Sequence, residues 1–186
     1  MIALLTFSLL LAVEAEPKTA NEHYNEGLRK LRTIEGPLRA GKLSPEQLTV
    51  AQGAETDFRT ALKLAPNHGR AHINLAMLYR FTNRFQEAIP HLKRGMTLKE
   101  GSKDWLSAAG TLVDVYFNQN KPKPAIPVLE KIVKYEKKDA QVHYQLGIAH
   151  YYAGSKGKAK KWLKKALAID PSHQQAQTLL NTINQG

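Results

Sequence analysis

Seven histidines, a glycine-lysine turn and a run of lysines are the residues of this chain whose types and spacing could do chemistry. His143 and His150 stand seven apart and share one face of a helix, which raises a metal site or a general base. Gly154-Ser155-Lys156-Gly157-Lys158 looks like a phosphate loop. However, Tyr152 stands where such a loop has its first glycine, and a helical stretch precedes it where a strand is required. It is read as a turn. The absence of cysteine excludes disulfides, thiolate catalysis and thiolate metal sites. No nucleophile elbow, zincin motif or acidic metal cluster occurs. The expectation is a non-enzymatic protein without cofactor or metal.

Charge is more informative. The chain carries a formal +11, and residues 121–171 hold twelve lysines against four acids. From Ala140 to Ile169 there is no acid at all, and Lys156, Lys158, Lys160, Lys161, Lys164 and Lys165 crowd around Trp162. The first reading is a solvated outer face that keeps a small protein soluble. The second is a basic amphipathic helix held to an anionic membrane surface or a polyanion.

The stretch that must position these residues runs from Ala140 to Pro171. One apolar stripe passes through Leu146, Gly147 and His150, and a second through Ala159, Leu163, Ala166 and Ile169. Gly154 and Gly157 separate them and Pro171 ends the second, so two amphipathic helices joined by a tight turn are predicted. The unit recurs. Ala159 has counterparts at Ala125, Ala88 and Ala54, spaced 34, 37 and 34 residues apart, each followed four residues on by Leu163, Leu129, Leu92 or Phe58. That period is the signature of a helical-hairpin solenoid. The Leu146-Gly147 pair, the small-large-small second helix and Asp170-Pro171 make the chain resemble the tetratricopeptide repeat family.

The resemblance implies an all-α, right-handed helical-hairpin solenoid of about four repeats with a C-terminal capping helix. The repeats would span residues 20–67, 69–102, 106–139 and 140–173, with the cap over 173–184 and the whole of 16–186 as one domain. It also puts His72, His143 and His150 in slots for packing aromatics, which is preferred over a metal site. The first repeat is interrupted after Ile34. Glu35-Gly36-Pro37 and Gly41 make a long connection, and Ser44-Pro45-Glu46-Gln47 then restarts a helix that can reach Leu64. Pro90 and Pro127 are expected in the first turns of helices beginning just before Ala88 and Ala125. Ser172 and Gln175 have capping-box spacing for the last helix.

In this family the first helix of each pair lines the concave surface. By resemblance the groove residues are Tyr24, Asn25, Leu28, Arg70, Ile73, Asn74, Met77, Phe81, Thr111, Asp114, Phe117, Gln141, Tyr144, Gln145, Ile148, Tyr151 and Tyr152. Aromatic rings with amides between them suit a protein or peptide partner. The dicarboxylate clamp of chaperone-binding members is not expected, since Tyr24, Leu28, Ser107 and Thr111 occupy its polar places. At the other end, Met1 to Val13 is nearly all apolar and too short to span a bilayer. With Val13-Glu14-Ala15 it reads as a secretory signal peptide cut after Ala15, giving a secreted or periplasmic protein. The alternative is a retained apolar helix docked on the solenoid or a membrane. In an exported protein, nucleic acid is the least favoured anionic partner.

Overall fold

The computed structural model describes residues 18–185, so the signal-peptide reading lies outside the described residues. These form ten α-helices and no strand: α1 (Ala20–Thr33), α2 (Glu35–Arg39), α3 (Pro45–Leu64), α4 (Gly69–Phe81), α5 (Phe85–Gly95), α6 (Lys103–Asn118), α7 (Ile126–Tyr135), α8 (Ala140–Tyr152), α9 (Lys156–Ile169) and α10 (Gln174–Gln185). A single 3-10 turn, Lys123–Ala125, precedes α7. Antiparallel hairpins α1/α3, α4/α5, α6/α7 and α8/α9 stack in chain order, and α10 covers the last of them.

The small residues of the sequence pattern explain the stacking. Ala54, Ala88, Ala125 and Ala159 are all fully buried, as are Phe58, Leu92, Leu129 and Leu163 four residues later. Close approach does the rest. A Cβ on Gly27 would lie 2.7 Å from the Phe58 ring, and one on Gly147 would lie 2.7 Å from Leu163 Cδ2. In the first and last hairpins the first helix therefore packs tightly on its partner because the residue opposite the large side chain has none, whereas α4 and α6 place the buried Ala76 and Val113 there. One continuous core runs from Ala54 to Ala149, and a second joins α9 to α10 through Leu163, Leu180 and Ile183.

The turns within three hairpins are the same device. Asn83 (φ 59°), Asn120 (φ 54°) and Gly154 (φ 76°) adopt the left-handed conformation that ends a helix, each five residues before the repeating alanine of its hairpin. The next amide then reaches back to a carbonyl five residues earlier: Arg84 to Tyr79, Lys121 to Tyr116 and Ser155 to His150. The glycine-lysine sequence is thus a helix-capping turn. The first hairpin lacks this turn and has the insertion instead. The insertion is not an open loop: Ile34 and Leu38 are buried with Ala51 and Leu78, which folds α2 against α1, α3 and α4. The Ser44/Gln47 capping box starts α3 as expected, with both reciprocal bonds made.

Two local expectations are corrected. Helix α5 begins at Phe85, so Pro90 is its sixth residue and sits inside the helix. It is tolerated because Pro90 and Gln86, whose carbonyl loses its donor, are both exposed to water. Pro127 does lie in the first turn of α7. The last helix is not capped by Ser172, whose hydroxyl bonds Asp170 at 2.6 Å. His173 caps it instead, accepting from the Ala176 amide at 3.3 Å.

The histidines are structural joints. His72 Nε2 faces the Pro66 carbonyl at 2.9 Å, and a carbonyl only accepts, so this nitrogen carries the proton. His72 Nδ1 then accepts from His91 Nδ1 at 2.8 Å. Burial, with His72 and Arg59 nearby, holds the His91 pKa down at about 4; burial also lowers that of His72. His143 and His150 are buried as packing residues, His143 against the Trp162 ring.

Candidate peptide-binding groove

The first helices α1, α4, α6 and α8, followed by α10, line one side of the stack. The structure divides the residues predicted there into three groups. The first is tied up in joints between repeats. Asn74 Nδ2 donates to the Tyr24 hydroxyl (3.2 Å) and the Arg70 carbonyl (3.0 Å). Arg70 pairs with Asp104 across α4 and α6 at 2.8 Å, and Arg80 pairs with Asp114 at 2.9 Å. Burial raises the Asp114 pKa against the opposing pull of Arg80. Gln141 accepts from His173 Nε2 at 3.2 Å, while the Tyr144 ring lies on that of His173 with centroids 4.7 Å apart. The Tyr24 ring meets His68 in the same way at 4.7 Å, and His68 caps α4 as His173 caps α10. Ile73 is buried against Gly95 and Ala108, not exposed in the groove. Thr111 bonds its own helix at the Ser107 carbonyl.

The second group forms a small cleft of about 200 Å³ at the α1 end. Leu28, Met77 and Phe81 line it together with Leu38, Arg32 and Arg39, which the sequence reading had not placed in the groove. The long insertion was the available signal, because only a helix folded back over α1 and α4 can bring Leu38 to Phe81. Phe81 lies between two guanidinium groups, with Arg80 at 4.8 Å and Arg39 at 5.9 Å from the ring centroid. Asn25 is exposed on α1, and Gln145 is half-buried on α8.

The third group lines the larger opening on this side. Tyr144, Ile148, Tyr151 and Tyr152 face Gln174, Gln175, Thr178, Leu179 and Thr182 across a cleft of about 450 Å³ between α8 and α10. Phe117, Asn120 and Pro122 border a second cleft of about 360 Å³ on the other side of Ile148 and Tyr152. Tyr152 stands between the two clefts with 70 % of its surface exposed, while Tyr144 and Tyr151 pack against the α9–α10 core. Neither cleft has a charged side chain in its lining. A broader depression of about 1080 Å³ between the α7–α8 and α9–α10 connections is polar and lies at the helix starts.

All six lysines of α9 lie on its outer side, with Lys160 partly covered and the others exposed. Lys165 Nζ sits 4.3 Å over the Trp162 ring. Among the described residues, none of the six is within ion-pair distance of a carboxylate. No group of three histidine or carboxylate side chains among the described residues could hold a metal ion.

Stacked helical hairpins with an aromatic, amide-rich inner face define a solenoid of the protein-interaction class. Residues 51–101 and 140–173 each match the tetratricopeptide repeat, and the chain is a tetratricopeptide repeat protein. It is similar to the crystal structure of MamA protein (22 % identity, 89 % of this chain and 81 % of that one, TM-score 0.69). It is also similar to YrrB, a tetratricopeptide repeat protein with an unusual peptide-binding site (20 % identity, 86 % and 84 % coverage, TM-score 0.60). At these identities the likeness shows the fold. Human protein O-mannosyl-transferase TMTC3 is 27 % identical over 173 residues, 90 % of this chain but 18 % of that protein. The chain thus spans about a fifth of that curated relative's length, and no transferase activity carries over from it.

Proposed function

We propose that this chain is a non-enzymatic adaptor that holds an extended, largely uncharged peptide segment of a partner protein in the inner groove between α6, α8 and α10. The observation that carries this reading is Tyr152. A large ring with 70 % of its surface in water, set between two clefts of about 450 and 360 Å³, is the arrangement of a binding anchor. The surrounding glutamines and threonines supply donors and acceptors for a peptide backbone. Lack of charge in the cleft linings, in a chain of formal charge +11, selects a neutral ligand segment. The small cleft at Phe81 extends the groove at the other end. We further propose that the chain is exported and works from Glu16 onward, as its apolar leader suggests.

Affinity capture from envelope extract tests the groove. Tyr152→Ala removes the exposed anchor without touching the core, whereas alanine at Tyr144 or Tyr151 would also disturb α9–α10 packing. The wild-type chain is expected to retain its partner through a high-salt wash, and the variant to lose it. A partner retained equally by both chains overturns the groove reading. The runner-up, an envelope-associated protein held by the lysine face, predicts release of the partner by salt from both chains.

A further inference from the structure

We propose a second docking site on the opposite face of the solenoid, for an acidic segment of a partner protein that carries one bulky apolar side chain among its carboxylates. Between α7 and α9 lies a cleft of about 450 Å³. Its floor is apolar: Val133, Trp162 and the half-exposed Ile169. Its rim is basic, with Lys134 and Lys137 on one side and Lys165 on the other. None of these three lysines has a carboxylate partner among the described residues. Asp170, the nearest acid in sequence to the floor, is turned into bonds with Ser172 at 2.6 and 2.9 Å.

A solvated face has no need of a cleft, and a membrane surface has no use for one. Lysines that only repel each other into water would be spread over the helix. Here three of them, from α7, the α7–α8 connection and α9, converge on an apolar floor in a cleft with room for a leucine or phenylalanine side chain. Charge complementarity then specifies the ligand: carboxylates at the rim and an apolar anchor between them. Lys165 lies over the Trp162 ring, which holds its ammonium at the wall of the cleft beside the apolar floor. The site is distinct from the inner groove: it is lined by α7, the α7–α8 connection and α9, with His143 as the one lining residue from α8, and it shares no lining residue with either inner cleft.

The test titrates labelled synthetic peptides, glutamate-rich with a single central phenylalanine, into the full chain and follows anisotropy together with Trp162 emission. Trp105 is buried in the core and serves as the unchanged background. The variant Lys134→Gln/Lys137→Gln/Lys165→Gln is compared with Lys156→Gln/Lys158→Gln/Lys161→Gln, which loses the same charge outside the cleft. The cleft variant is expected to bind about tenfold more weakly, the loss of three charge contacts. The control is expected to bind like wild type, and a peptide with serine in place of phenylalanine to bind poorly. Equal weakening by both variants, or no peptide binding, overturns the proposal. Vesicles of phosphatidylcholine and phosphatidylglycerol form the second arm. Vesicle binding without peptide binding, reduced equally by both variants, overturns it in favour of a lipid surface.

Discussion

Phe58→Ala is expected to lower stability by about 3–5 kcal/mol, the range for emptying a buried phenylalanine site, and to do so locally. Phe58 has no exposed surface, and its ring fills the space that Gly27 leaves between α1 and α3. Removing the ring leaves a cavity into which the surrounding structure relaxes only in part. In a stack where each hairpin touches only its neighbours, the loss falls first on the unit that contains it. Hydrogen exchange should show α1, α2 and α3 losing protection while α8 and α9 keep theirs. Uniform loss along the chain would mean that the hairpins do not behave as separable units.

Acid is expected to weaken the fold in a defined window because of the His72–His91 pair. Well above the ordinary histidine value of 6.5 both rings are neutral in the folded and unfolded chains, and the pair makes no pH-dependent contribution. As pH falls through 6.5 toward 4, the unfolded chain binds a proton on His91 that the folded chain refuses, so stability falls through that window. It levels off for this group below about 4. The difference corresponds to about 2–3 kcal/mol after allowance for the partial exposure of the ring. Denaturation midpoints measured from pH 7.5 to 4 should show the decline, and His91→Gln, which does not titrate, should flatten it. An unchanged slope in that variant would assign the acid sensitivity elsewhere.

The fold was legible in the sequence because its packing is periodic. Alanines 34 to 37 residues apart, each with a large side chain four residues on, encode a stack whose every layer needs the same small-large contact. The end of the second helix at Asp170-Pro171 was legible for the same reason. Bonds between repeats were not legible, since nothing in sequence spacing tells a groove-facing Arg70 or Asn74 from one that meets Asp104 or Tyr24 across the neighbouring helix. That is why part of the predicted groove proved to be structural joints. The His68 and His173 caps did leave a trace. Pro66-Asn67-His68 and Pro171-Ser172-His173 are the same turn written twice, and Tyr24 and Tyr144 receive the two rings. Among adjacent tyrosines, only the packing of α8 against α9 and α10 distinguishes the covered Tyr151 from the exposed Tyr152. The insertion escaped because Leu38 finds its partners, Ala51 and Leu78, in helices that follow it.

The inner groove is the central claim, and photo-crosslinking tests it most directly. A benzoylphenylalanine placed at position 152, with a second chain carrying it in place of the exposed Lys93 on α5, would be irradiated with the captured partner in high salt. The groove account predicts a crosslinked partner peptide from position 152 and none from position 93. A crosslink from position 93 with none from position 152 would contradict it.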